Sequence, residues 1–155
     1  MIDADIKFKL IMIAKILMAA ILGCIIGYQR ERENKNAGIR TFGAVSAGAA
    51  LFTAVGMHFS ETDDSSRIIA NIITGVGFLG AGIIYNKQQS NESSGLTTAA
   101  NIWAVSAIGV AAALGFYVIS VVTTAMLYFM LSLNHFSFYR NWQNRIQNDK
   151  NPKQD

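Results

Sequence analysis

Apolar residues along this chain come in long uncharged runs, with polar residues gathered into short stretches between them. The clearest run is RIIANIITGVGFLGAGIIY, Arg67 to Tyr85, with no charge between Arg67 and Lys87. At about 1.5 Å of rise per residue it is long enough to cross a bilayer core. Similar runs predict spans over residues 10–28, 41–59, 96–114 and 117–133. The stretch from Ile102 to Leu133 is uncharged and too long for one untilted crossing of about 20 residues. It must fold back, with Gly109 and Gly115 as the candidate positions and Leu114–Phe116 at the turn. The expected fold class is all-α: a polytopic transmembrane helical bundle of about five spans. A short N-terminal segment, 1–9, leads into a membrane domain, 10–133. In the tail, 134–155, Phe136, Tyr139 and Ile146 fall at helical spacing beside Trp142, which predicts a cytoplasmic interfacial helix. The last residues, NDKNPKQD, read as disordered.

Composition supports the membrane assignment. Hydrophobic residues make up 52% of the 155 and charged residues 15%, against about 25% charged in an average soluble domain. Lys15 alone lies outside the polar stretches. It either snorkels to the interface along its aliphatic stem or finds an internal partner. The single cysteine, Cys24, excludes a disulfide framework and a thiolate metal cluster, and reads as a small buried hydrophobe. MIDADIKFKL lacks the basic head of a secretory signal, so the first run is expected to be retained as a span.

Charge placement sets the orientation. Residues 30–40 carry four Lys/Arg and the tail another four, whereas 61–67 has one against three acids. The basic-side-inward rule then puts the N-terminus in the periplasm and the C-terminus in the cytoplasm. An odd number of spans agrees with it.

Small residues should organise the packing. Gly23 and Gly27 form a small-xxx-small pair, and Gly75, Gly77, Gly80 and Gly82 strip a flank of the third span, so neighbouring helices can approach closely. Asn71 is the one amide within that span, and an amide in hydrocarbon needs a partner. Asp64 or Ser65 is placed to cap the same helix. Shifting the chain by 57 positions superimposes Leu22-Gly23 on Leu79-Gly80, Tyr28 on Tyr85, Gly38 on Gly95 and Thr41 on Thr98. The repeat unit is a two-helix hairpin, and the copies share one orientation. In copy one, Arg40-Thr41 could bind an anion, a lipid headgroup or a carboxylate. In copy two, Thr97, Thr98 and Asn101 offer hydroxyls and an amide, for capping or for bonds between helices.

Three ordered blocks, GYQRERENKNAGIRTFGAVSAGAALF, DDSSRIIANIITGVGFLGAGIIY and GLTTAANIWAVSAIG, resemble the signature blocks of the MgtC/SapB family of bacterial inner-membrane proteins. The resemblance covers roughly residues 10–133. The family's acidic position matches either Glu31 or Glu33, its Asp-x-x-Arg element matches Asp64 and Arg67, and the Gly-Leu-Thr-Thr-Ala element precedes Trp103. Asn71 stands where many members have glutamine. Many members also carry a cytoplasmic C-terminal ACT-like domain, so the resemblance implies a short form lacking it. It further implies an inner-membrane protein linked to Mg²⁺ homeostasis or stress adaptation. The member that names the family is thought to act by binding membrane partners, including the proton-translocating ATP synthase.

Two function classes follow. The first is a membrane-embedded interaction or regulatory protein, with membrane lipid, a homo-oligomer or an inner-membrane partner such as ATP synthase as the expected contacts. The second is a transporter or channel for Mg²⁺, another ion or a small solute. Apart from Lys15 the predicted spans hold no ionisable side chain, whereas dehydrating Mg²⁺ calls for converging oxygens. The available donors, Glu61, Asp63, Asp64, Asn71, Thr97, Thr98 and Asn101, fall near opposite faces. An enzyme is not expected, because His58 and His135 lie near opposite faces with no activated nucleophile. No cofactor and no nucleic-acid partner are expected either.

Overall fold

The computed structural model describes residues 2–59, 65–88 and 95–133. These form five helices in chain order: α1 (Ile2–Arg32), α2 (Ile39–Phe59), α3 (Ser65–Gln88), α4 (Gly95–Ala113) and α5 (Tyr117–Ser132). The described residues contain no strand. The first four helices are long and apolar enough to cross a membrane, whereas α5 is a shorter apolar helix of 16 residues. Of the two expected caps of α3, Asp64 lies outside the described residues, as does the tail 134–155 with its expected interfacial helix, while Ser65 is the first residue of the helix.

Helix α1 runs farther than its uncharged stretch predicts, through Gln29 and Arg30 to Arg32. What ends it is a reversal at Asn34, which takes the left-handed conformation (φ 55°). There the Lys35 amide donates to the Arg30 carbonyl at 3.0 Å and the Asn34 amide to that of Glu31 at 3.0 Å, the pairing of a Schellman motif. Helix α4 ends the same way at Gly115 (φ 87°), with Phe116 N–H on Ala111 O at 2.9 Å and Gly115 N–H on Ala112 O at 3.1 Å. The turn between α4 and α5 therefore falls at the predicted residues despite its lack of polar side chains, because the backbone closes its own hydrogen bonds.

Gly109 is not a fold-back point. It lies within α4, pressed against the carbonyl of Ser46 on α2 so closely that any Cβ would collide with it. Helices α1 and α2 meet in the same manner: a Cβ at Gly23 would lie 2.5 Å from Phe42 O, and one at Gly27 would lie 2.6 Å from Ile39 Cα. Around these contacts Leu22, Ile26, Phe42, Ile102, Val105, Ile108, Leu127 and Leu131 form the main core, with an alanine layer of Ala19, Ala50, Ala112 and Ala113 beside it. Helix α4 touches all four other helices. Helix α5 packs inward through the stripe Ser120, Thr124, Leu127 and Leu131.

The glycines of α3 behave differently from expectation. Only Gly80 meets another helix, at 3.5 Å from Ala99 Cβ, while nothing lies within 4 Å of a Cβ built at Gly75, Gly77 or Gly82. Within one chain, then, three of these four glycines are not packing points. The Gly80–Ala99 contact reproduces Gly23–Phe42 at the repeat offset of 57. The two hairpins thus pack through equivalent positions.

Candidate functional site

The last two turns of α1 carry polar side chains into the bundle. Gln29 and Arg30 are buried, Arg30 to 2% exposure. The Arg30 guanidinium donates through Nη1 to Glu33 Oε2 at 2.9 Å and through Nη2 to Thr98 Oγ1, in the first turn of α4, at 3.1 Å. Asn101, one turn farther along α4 from Thr98, is also buried. With its amide in the orientation that satisfies both ends, Gln29 donates to the Tyr128 carbonyl at 3.1 Å and accepts from the Ser132 amide at 2.9 Å. One cluster therefore ties α1 to α4 and to α5.

Its electrostatics are finely balanced. The C-terminal end of α1 favours a cation, but the N-terminal end of α4 does not. Glu33, only 11% exposed at its side chain, supplies the neutralising carboxylate. Among these residues, three buried polar atoms have no hydrogen-bond partner: Arg30 Nε, Glu33 Oε1 and Asn101 Nδ2. Two are donors and one is an acceptor, so the cluster has capacity left for a small polar group.

The two candidate acids now separate. Glu33 joins the cluster, whereas the exposed Glu31 accepts the Ile39 amide proton at 3.1 Å and so caps α2 with negative charge at its positive end. Among the other sequence-derived candidates, Thr98 bonds Arg30 and Asn101 is buried one turn farther along α4. Arg40, Thr41, Thr97 and Arg67 are exposed, and Trp103 is half exposed at 51%. Asn71 is exposed on α3, at the edge of an apolar groove of about 550 Å³ between α2 and α3, lined also by Ala44, Gly48, Phe52, Ile72 and Gly75. Asp64 lies outside the described residues, as do Glu61 and Asp63. Among the described residues, no three or more His, Cys, Asp or Glu side chains are grouped to hold a metal ion.

The expectation that Lys15 is the single ionisable group within the spans is corrected by Arg30. A first span ending at residue 28 leaves Gln29 and Arg30 outside it, whereas α1 continues to Arg32. The sequence signal was the spacing of Arg30 and Glu33, three apart and able to pair if the helix continued. Lys15 itself has an internal partner: its ammonium donates to the carbonyl of Ala113 at 2.8 Å, at the C-terminal end of α4, where a cation is favoured.

A family model described as the MgtC family matches residues 16–137. The chain belongs to the MgtC family. The matched region contains the whole polar cluster and every helix beyond the first turns of α1. An uncharacterized protein of Haemophilus influenzae is 36% identical over 145 residues, covering 88% of this chain and 60% of that protein. A provisionally named magnesium transporter of Escherichia coli, YhiD, is 37% identical over 131 residues, covering 79% of this chain and 60% of its own length. Protein MgtC of Salmonella typhimurium is 42% identical over 103 residues, or 66% of this chain and 43% of that protein. The chain spans about 60% of the length of the Haemophilus and Escherichia relatives. No solved structure matches it. Family membership together with four long apolar helices makes this a multi-pass membrane protein.

Proposed function

We propose that this MgtC-family chain is an interaction or regulatory protein of the bacterial inner membrane, linked to Mg²⁺ homeostasis or stress adaptation. Its N-terminus faces the periplasm, α5 makes a fifth crossing, and the polar cluster lies at the cytoplasmic end of the bundle. The observation that carries this reading is how the interior polar groups are used. Arg30 reaches Thr98, Gln29 reaches Tyr128 and Ser132, and Lys15 reaches Ala113. Each joins two helices, so together they brace the bundle rather than line a hydrated path. Sparse cover of α3 leaves a membrane-facing surface on which partners can dock.

A second reading, transport of Mg²⁺, another ion or a small solute, is favoured by the unspent polar atoms beside Arg30 and by the name of the Escherichia relative. Reconstitution separates the two. The first reading expects no Mg²⁺ flux in proteoliposomes and a membrane partner recovered in fixed stoichiometry from native membranes. Flux abolished by Glu33→Gln, in a variant that still folds, would replace it with the second.

A further inference from the structure

Helix α3 is the least covered of the four long helices: 6% of its apolar window is buried, against 28%, 44% and 56% in α1, α2 and α4. Its outward residues form a pattern. Asn71, Gly75, Phe78, Gly82 and Tyr85 recur at alternating steps of four and three and are all exposed. At about 100° per residue they fall within roughly 80° of arc. A repeat of 3.5 residues is the spacing of a seam between two supercoiled helices. Nothing lies within 4 Å of a Cβ at Gly75 or Gly82, and Phe78 stands 81% exposed between them. The Asn71 amide has no hydrogen bond among the described residues and sits about 9 Å along the helix, inside the apolar span. In hydrocarbon such an amide needs a partner.

We propose that a second copy of this chain docks here, α3 against α3 in parallel, about a two-fold axis normal to the membrane. Hydrogen bonding points to an identical partner. An amide carries both a donor and an acceptor, so two Asn71 side chains related by a two-fold axis satisfy each other without a foreign group. Shape points the same way. In register, the layer of paired Phe78 rings lies between two glycine layers, Gly75 and Gly82, which make room for it. No charge occurs on the seam between Arg67 and Lys87, so identical faces do not repel along it. Arg67, near the seam's outer end, lies at the polar edge, where water screens it. The apolar groove bordered by Asn71 and Gly75 extends the contact toward α2. This interface requires only that α3 span the membrane, so its failure would leave the regulatory reading standing.

The test uses the full chain in a Cys24→Ser background, in phosphatidylcholine–phosphatidylglycerol vesicles. Gly75→Cys and Phe78→Cys should oxidise to disulfide-linked homodimers at least fivefold more readily than Gly77→Cys, which is equally open but off the seam. By energy transfer during lipid dilution, Asn71→Leu and Gly75→Leu should each weaken association about tenfold. Gly77→Leu should not, and it serves as the folding control. The proposal is overturned by a chain that stays monomeric at every protein-to-lipid ratio, by cross-linking without seam preference, or by a purified complex in which another polypeptide covers this face.

Discussion

Arg30 and Thr98, 68 positions apart, share a hydrogen bond of 3.1 Å that fastens the end of α1 to the start of α4. The bond crosses between the two hairpins of the repeat. Thr41, which occupies the position of Thr98 in copy one, is exposed instead. The two copies have thus diverged in burial at the same place in the hairpin.

Replacing Arg30 with Met would leave the Glu33 carboxylate buried and unpaired. Breaking a buried ion pair in this way costs about 3–5 kcal/mol, whereas removing both charges can be near neutral. Thermal unfolding in detergent should show Arg30→Met strongly destabilised and the double variant Arg30→Met, Glu33→Leu largely recovered. Equal stability of the single variant and the parent would show that the pair bears no structural role.

Gly23 and Gly77 make a matched comparison. A methyl at Gly23 would sit 2.5 Å from Phe42 O and 2.8 Å from Ser46 Cβ, whereas at Gly77 it meets nothing within 4 Å. Gly23→Ala should cost about 1–3 kcal/mol through forced separation of α1 and α2. Gly77→Ala should be neutral, or stabilising by up to about 1 kcal/mol from helix propensity. Unfolding in detergent reads both, and a reversed order would refute the packing described for α1.

Lys15→Met should destabilise the fold by about 1.5–3 kcal/mol, because a hydrogen bond from a charged donor to the Ala113 carbonyl is lost. If unfolding of Lys15→Met matched the parent, the ammonium would have to reside at the interface with water rather than on α4.

Arg40 is exposed in the first turn of α2. Arg40→Ala should therefore change stability by no more than about 0.5 kcal/mol, while impairing growth in a complementation assay if the side chain contacts a headgroup or a partner. Full complementation would remove it from the functional surface.

Sequence legibility differed between backbone and site. The helix count, the α4–α5 reversal at Gly115 and the Gly23–Gly27 contact follow from uncharged runs and small residues, which are local signals. Gly109 was misplaced because a glycine in an apolar run looks the same whether it turns the chain or admits a neighbouring backbone. Arg30 lies beyond the uncharged run that marks the first span, yet the helix continues to Arg32 and carries its side chain into the bundle. Glu31 and Glu33 were indistinguishable as letters, yet one caps α2 and the other neutralises a guanidinium.

By itself, the amino-acid order determined that this chain makes long apolar helices joined by short polar segments, because hydrocarbon tolerates few charges and requires every backbone group to be paired. Tertiary structure decided which polar side chains meet. Arg30 meets Thr98, and Gln29 meets Tyr128 and Ser132, only when α1, α4 and α5 pack. It also decided that Gly75 and Gly82 face outward while Gly80 faces Ala99. Those outcomes depend on how each helix is rotated about its axis, and that rotation is fixed by contacts between segments far apart in the chain.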